Sequence, residues 1–140
     1  MRLKGVFIKI VFSDKKNGKT AQLEVPKDSE PMLLGKKMGE TLEGAIVGLD
    51  GYVLKITGLS DKTGAPSRRE IEFSQKAFVL LSGGPGIRNS KKGRRIRRLI
   101  RGNTISVDTE QINTVIEQYG SKGADEIFPK KAPKEEKKSE

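Results

Sequence analysis

Apolar side chains occupy every second position through Val6, Ile8, Ile10 and Phe12, and again through Ala21, Leu23 and Val25. Alternation at period two marks a half-buried β-strand, because successive side chains leave opposite faces of the pleat. Between the two runs stands Ser13-Asp14-Lys15-Lys16-Asn17-Gly18, a cluster of turn formers, so a first hairpin is predicted here. Pro26 and Pro31 then exclude a central strand from the connection that follows. Asp50-Gly51 offers the two positive-φ positions of a type I′ turn. A hairpin with that tip would set Leu49 opposite Tyr52, Val47 opposite Leu54 and Ala45 opposite Ile56 on one apolar face.

The remaining pattern is also short and β-like. Ile71 to Phe73, Phe78 to Leu81, Thr104 to Val107 and Ile112 to Tyr119 read as strands. Gly58 to Pro66 and Ser82 to Gly86 read as loops, rich in Gly and Pro. Met32 to Leu42 is the one stretch with helical character, weakened by its two glycines. Many short strands parted by turns favour a mainly β fold, a small single-domain β-barrel-like arrangement of short antiparallel strands. Residues 1–128 form the expected domain. From Pro129 the chain is Lys, Glu, Pro, Ala and Ser, so residues 129–140 are expected to be a charged, disordered tail.

Composition narrows the chemistry. Leu, Ile, Val and Phe make up about a quarter of the chain, enough for a modest core. There is no Cys and no His among the 140 residues, which removes thiolate nucleophiles, histidine triads and the common zinc ligand sets. No cofactor is called for. Asp50, Asp61 and Asp108 sit in turn contexts that Asx turns and caps explain. Gly83, Gly84 and Gly86 lack the following Lys-Ser/Thr of a nucleotide-binding loop. A tight turn explains them better, so no small-molecule substrate and no enzymatic activity are expected. The longest run without charge, Ala77 to Ile87, is too short to span a bilayer, and the first residues show no secretory pattern. An intracellular soluble protein is the resulting expectation.

Charge changes the picture most. The chain has 28 Lys and Arg against 18 Asp and Glu, a formal net charge of +10. Nine of the basic residues (Lys76, Arg88, Lys91, Lys92, Arg94, Arg95, Arg97, Arg98 and Arg101) lie between Phe73 and Val107, where there is no acid. The rest of the chain is close to neutral. Such clustering is unfavourable for folding unless a partner neutralises it, so it points to a polyanion. Two geometries compete for Ile96 to Arg101. A helix would gather Ile96, Leu99 and Ile100 on one face, whereas a strand would place Ile96 and Ile100 with Arg94 and Arg98, and Leu99 opposite. The short span between Gly93 and Gly102 favours an extended arm whose second half joins the strand through Ile105. With no acid nearby to hold it, the arm is expected to be mobile without its partner.

Arg predominates in this cluster, and its planar fork meets two phosphate oxygens at once. No aromatic residue lies between Val79 and Gln118. A reader of single strands would interleave stacking platforms with its charges, so the arm is expected to grip the backbone and shape of folded RNA. If some 6–8 phosphates are neutralised, affinity should fall by orders of magnitude over a few-fold rise in salt. A non-ribosomal RNA-binding factor and a module binding anionic membranes or other polyanions remain alternatives.

Three blocks carry a resemblance to a known family. The first is Gly51-Tyr52-Val53-Leu54-Lys55-Ile56-Thr57-Gly58 with Asp61, Gly64 and Pro66. The second is Leu80-Leu81-Ser82-Gly83-Gly84-Pro85-Gly86, leading into the basic run with Gly93. The third is Arg101-Gly102-Asn103-Thr104-Ile105-Ser106, continuing through Gln111-Ile112-Asn113 to Tyr119-Gly120. In order and spacing they resemble the e-type ribosomal protein six family of the small subunit, over roughly Leu3 to Phe128. Leu59 and Ser67 depart from the family's usual Gly and Met, which bears on the local loop shape. The resemblance implies a barrel-like protein bound to small-subunit rRNA among neighbouring ribosomal proteins, in the cytoplasm and in a short, archaeal-like form. The phosphorylation role of the eukaryotic members' C-terminal extension is not expected to carry over. Arg88, Lys91, Lys92, Arg94, Arg95, Arg97, Arg98 and Arg101 fall on the family's basic segment, while Lys62, Arg68 and Arg69 flank its Gly-Pro loop. The tail is kept as a candidate extra tether to rRNA.

Overall fold

The computed structural model describes residues 7–88, 91–121 and 127–128. Val6 and the tail 129–140 lie outside the described residues. The predicted first hairpin forms from β1 (Lys9–Ser13) and β2 (Thr20–Glu24), paired antiparallel with Ile10 opposite Leu23 and Phe12 opposite Ala21. Ile8, Ile10, Phe12 and Ala21 are buried, as the alternation requires. The connection turns through Lys27–Ser29 into a single short helix, α1 (Glu30–Leu33), which buries Leu33. Then follow β3 (Thr41–Glu43), β4 (Val53–Asp61), β5 (Lys76–Leu81), β6 (Ile96–Arg101) and β7 (Thr109–Gln118).

Five strands make one mixed sheet in the order β2-β1-β7-β4-β3, and β5 and β6 make a separate two-stranded ribbon. The fold is mainly β, as expected, but among the described residues the sheet does not close into a barrel, and its strands are not all antiparallel. β1 and β7 run parallel, bringing early and late segments of the chain side by side at the sheet centre. Closure would need the edge strands β2 and β3 to pair. However, β3 has only three residues before its chain turns away at Gly44. The open face is filled instead by two crossing segments. Gly35 and Met38 donate to the carbonyls of Ile105 and Asn103, and Ile105 donates back to Lys36. Leu33, Ile105 and Phe128 thereby cap a core of Ile10, Phe12, Leu42, Leu54, Ile56, Leu59, Ile112 and Ile116.

Several local expectations are corrected. No type I′ hairpin forms at Asp50-Gly51, because Gly51 has positive φ and Asp50 does not. The chain from Gly44 to Val47 coils as a 3-10 turn, and β4 pairs with β3, so that Leu54 faces Leu42 rather than Val47. Gly44 is the reason. Its amide donates to the Tyr52 carbonyl and its carbonyl accepts from Leu49, so closely that a Cβ would fall against the Leu49 carbonyl. Met32 to Leu42 is helical only to Leu33, since segment 35–39 spends its amides on Ile105, Asn103 and Ile56. Ile71 to Phe73 and Thr104 to Val107 are not strands: Ile71 donates to Arg68 and accepts from Phe73 and Asn103, while Ile105 bonds to the crossing segment at Gly35 and Lys36.

β4 positions the site. Thr57 is an extra residue against β7, where Ile56 pairs with Thr114 and Gly58 with Asn113. This bulge shifts the alternation, so Leu54, Ile56, Leu59 and Asp61 are all buried. A hydrophobic strand thus ends in a buried carboxylate, directly beneath the ribbon.

Candidate nucleic-acid interface

The basic run is extended, as its spacing predicts. β6 pairs with β5 from Ile96 opposite Leu81 to Arg101 opposite Lys76. The strand stops at Arg101 rather than continuing through Ile105, because Gly102 passes so close to Phe73 that a Cβ would overlap its carbonyl. Opposed residues in an antiparallel pair share a face. The inward face therefore carries Ala77, Val79, Leu81, Ile96, Arg98 and Ile100. Leu81 and Ile100 are buried there, apart from the main core. The outward face carries Phe78, Leu80, Arg97 and Leu99, all exposed.

Asp61 pins the base of this ribbon. Its Oδ2 lies 2.8 Å from Lys76 Nζ and 3.1 Å from Arg101 Nη1, so one carboxylate holds the first residue of β5 and the last of β6. Arg101 is 4% exposed, and its Nη2 donates to the Ser74 carbonyl and to Ser106 Oγ, each at 2.8 Å. Burial alone would raise the Asp61 carboxyl. The Lys76 hydrogen bond, the Thr63 amide and the Arg101 and Lys76 charges outweigh it, and hold the carboxyl below its ordinary value. The Asx turn to Thr63 is present, but it is the lesser part of what Asp61 does. At Arg101, the end of the arm, an acid is present after all, supplied by a distant strand.

The sequence-derived candidates divide into two groups. Arg88, Lys91, Lys92, Arg94, Arg95, Arg97 and Arg98 are all exposed, and among the described residues none has an acidic partner. Arg88, Arg94 and Arg98 converge on a cleft of about 430 Å³, floored by Gly86, Ile87 and Ile96. Arg101, by contrast, is turned into the protein. Arg68 is also engaged internally: its Nη1 donates to the carbonyls of Gly83 (2.9 Å) and Pro85 (3.4 Å), and its Nε pairs with Glu70 at 3.2 Å. It holds the glycine loop that forms one wall of the cleft. Lys62 is exposed and 3.9 Å from Asp108. Arg69 is exposed and lies over Gly39, on the side of the crossing segments.

Two residues escaped the sequence reading. Asp61 was visible as the end of an apolar strand, but its partners are far along the chain. Phe78 stands just outside the basic run, and only the ribbon register brings it under Arg97, whose Cζ is 5.2 Å from the ring centroid. The arm therefore does have an aromatic neighbour. Among the described residues no cluster of acidic side chains could hold a metal ion.

The structure thus presents an extended basic ribbon beside the sheet, and comparison with known proteins supplies the family. The chain matches the model of the family described as Ribosomal protein S6e over residues 8–129. It is 45% identical over 120 residues to the small ribosomal subunit protein eS6 of Methanocaldococcus jannaschii, covering 86% of this chain and 89% of that protein. The eS6 protein of Methanothermobacter thermautotrophicus is 43% identical over 86% of this chain and 94% of its own. That of Methanosphaerula palustris is 40% identical over 88% and 93%. The match spans the sheet and the whole ribbon, and this chain belongs to the ribosomal protein S6e family.

Proposed function

We propose that the chain is a structural, non-enzymatic constituent of the cytoplasmic small ribosomal subunit, and that it holds folded rRNA through the β5–β6 ribbon and the loop before β6. The observation that carries this is the set of seven exposed cations from Arg88 to Arg98, left without acidic partners while Arg101, Lys76 and Arg68 are spent internally. Arg guanidiniums converging on one cleft suit adjacent phosphate oxygens. Neighbouring small-subunit proteins and rRNA are the partners in this reading, with residues 1–128 as the RNA-binding domain and 129–140 as a separate charged tail. Arg101 and Arg68 act by positioning the contacts. Lys62 and Arg69 stand off the ribbon as peripheral contacts.

The lipid alternative required a helical face of Ile96, Leu99 and Ile100. In the strand Leu99 points away from the other two, and Ile100 is fully buried. That face does not exist. Changing Arg94, Arg95, Arg97 and Arg98 together to Glu should abolish binding to structured rRNA fragments, with the β circular dichroism unchanged. The parent protein should co-sediment with the small subunit and the variant should not. Survival of binding would place the interface elsewhere.

A further inference from the structure

The outward face of the ribbon is unlike the phosphate cleft behind it. Phe78, Leu80 and Leu99 are 61%, 58% and 38% exposed, and Arg97 lies over the Phe78 ring. Phe78 and Arg97 line a shallow notch of about 300 Å³ that no described residue fills. Large apolar side chains left open to water usually mark a contact surface. What covers this one must tolerate the Arg97 guanidinium in its middle and six further unpaired cations on the same arm. An apolar protein surface or an acyl chain would strand those charges. A nucleobase meets every demand: its face stacks on an aromatic ring or a guanidinium plane, and its phosphates are anionic.

We propose that this face holds one unpaired nucleobase of the bound RNA, stacked on Phe78 beside Arg97, while the opposite face grips the backbone. The inference rests on the RNA-binding reading above. It deepens it from shape recognition alone to recognition of a bulge or loop in an otherwise paired helix. Such a site would tolerate several bases, since every base has a π-face, so it selects an unpaired nucleotide more than a sequence.

Two RNA hairpins of equal length test it, one fully paired and one with a single unpaired 2-aminopurine. The full chain should bind the bulged hairpin roughly tenfold more tightly and change the 2-aminopurine emission, a difference within the range for stacking one base. Phe78→Ala should abolish that preference but keep the affinity for the paired hairpin and its salt dependence. Phe78 is mostly exposed, so the variant should fold. Phe78→Leu, which keeps the apolar volume, should lose the preference as well. Equal binding of both hairpins by the parent would overturn the inference while leaving RNA binding standing; binding of neither at low salt would overturn both. If Phe78→Ala keeps the preference yet fails to co-sediment with the small subunit, the face docks a protein and the stacking site is wrong.

Discussion

Replacing Asp61 by Asn removes the charge that holds both strands of the ribbon at their base. The cost follows from what is left behind. Arg101 is 4% exposed and loses its 3.1 Å partner, keeping as its one acidic partner Asp108 at 3.7 Å, whose side chain is largely in solvent. Lys76, with a side chain 30% exposed, can turn its ammonium to water and adds little. Breaking a buried ion pair from one side costs about 3–5 kcal/mol, and the remaining Asp108 contact puts this case near the lower end. A loss of about 3 kcal/mol is a large part of an ordinary domain's 5–15 kcal/mol, and lowers its midpoint by roughly 10 °C. Urea titration followed by far-ultraviolet circular dichroism measures it, there being no Trp for fluorescence. The double variant Asp61→Leu/Arg101→Met removes both charges and should recover much of the loss, since an apolar pair can replace a buried ion pair. A single variant within about 0.5 kcal/mol of the parent, an effect ordinary for surface changes, would refute the assignment of Arg101 as buried and paired. The same would follow from additive costs in the double variant. Acid should act on the same contact. The Asp61 carboxyl is depressed in the folded protein, so its contribution is complete above the unfolded value of about 3.9 and is lost as pH falls through the lower folded value.

Gly102→Ala forces a methyl into the Phe73 carbonyl, where backbone rather than side chain must yield. It should cost about 3 kcal/mol in the same urea titration, the upper part of the range for overpacking. Arg68→Met keeps much of the side chain but releases the Gly83 and Pro85 carbonyls. It should weaken RNA binding several-fold by anisotropy and leave the salt slope unchanged, since no phosphate contact is removed. Tyr119 donates to buried Asp14, which accepts it as its strongest stabilising contact, and the phenol is raised above its ordinary value for the same reason. Ultraviolet titration should therefore show a phenolate forming above pH 10, accompanied by loss of stability as pH rises through that folded value. Tyr119→Phe should remove that late step.

The sequence made plain whatever depended on neighbours along the chain. The β1–β2 hairpin followed from alternation and one turn cluster. The extended arm followed from a span between Gly93 and Gly102 too short for a helix. Sheet order was not legible, because the parallel β1–β7 pair joins residues about a hundred positions apart and local pattern does not encode it. Asp50-Gly51 misled because turn chemistry is a local preference, whereas Gly44 and Tyr52 are drawn together by the packing of Tyr52 into the core. At the site, the cluster of cations was visible and their division was not. Arg98 and Arg101 look alike in sequence; only the buried Asp61 turns one inward.

That division explains why the acid sits where it does. Carboxylates spread along the ribbon would have relieved the repulsion among Arg88, Lys91, Lys92, Arg94, Arg95, Arg97 and Arg98. They would also have competed with phosphate for every guanidinium. At 7 Å in water a like-charge pair costs only about 0.6 kcal/mol before salt screening, so a two-stranded ribbon can bear several such pairs if its base is fixed. Asp61 fixes it from the end of β4, a strand buried in the main core, by way of Lys76 and Arg101, which face each other across the ribbon. Leu81 and Ile100, buried on the other face of the ribbon, resist peeling there. On the RNA-binding function proposed above, anchoring falls to two cations and binding to seven others. Phosphates arriving at the seven would remove the repulsion without disturbing the anchor, so in that reading RNA binding and ribbon stability would reinforce each other.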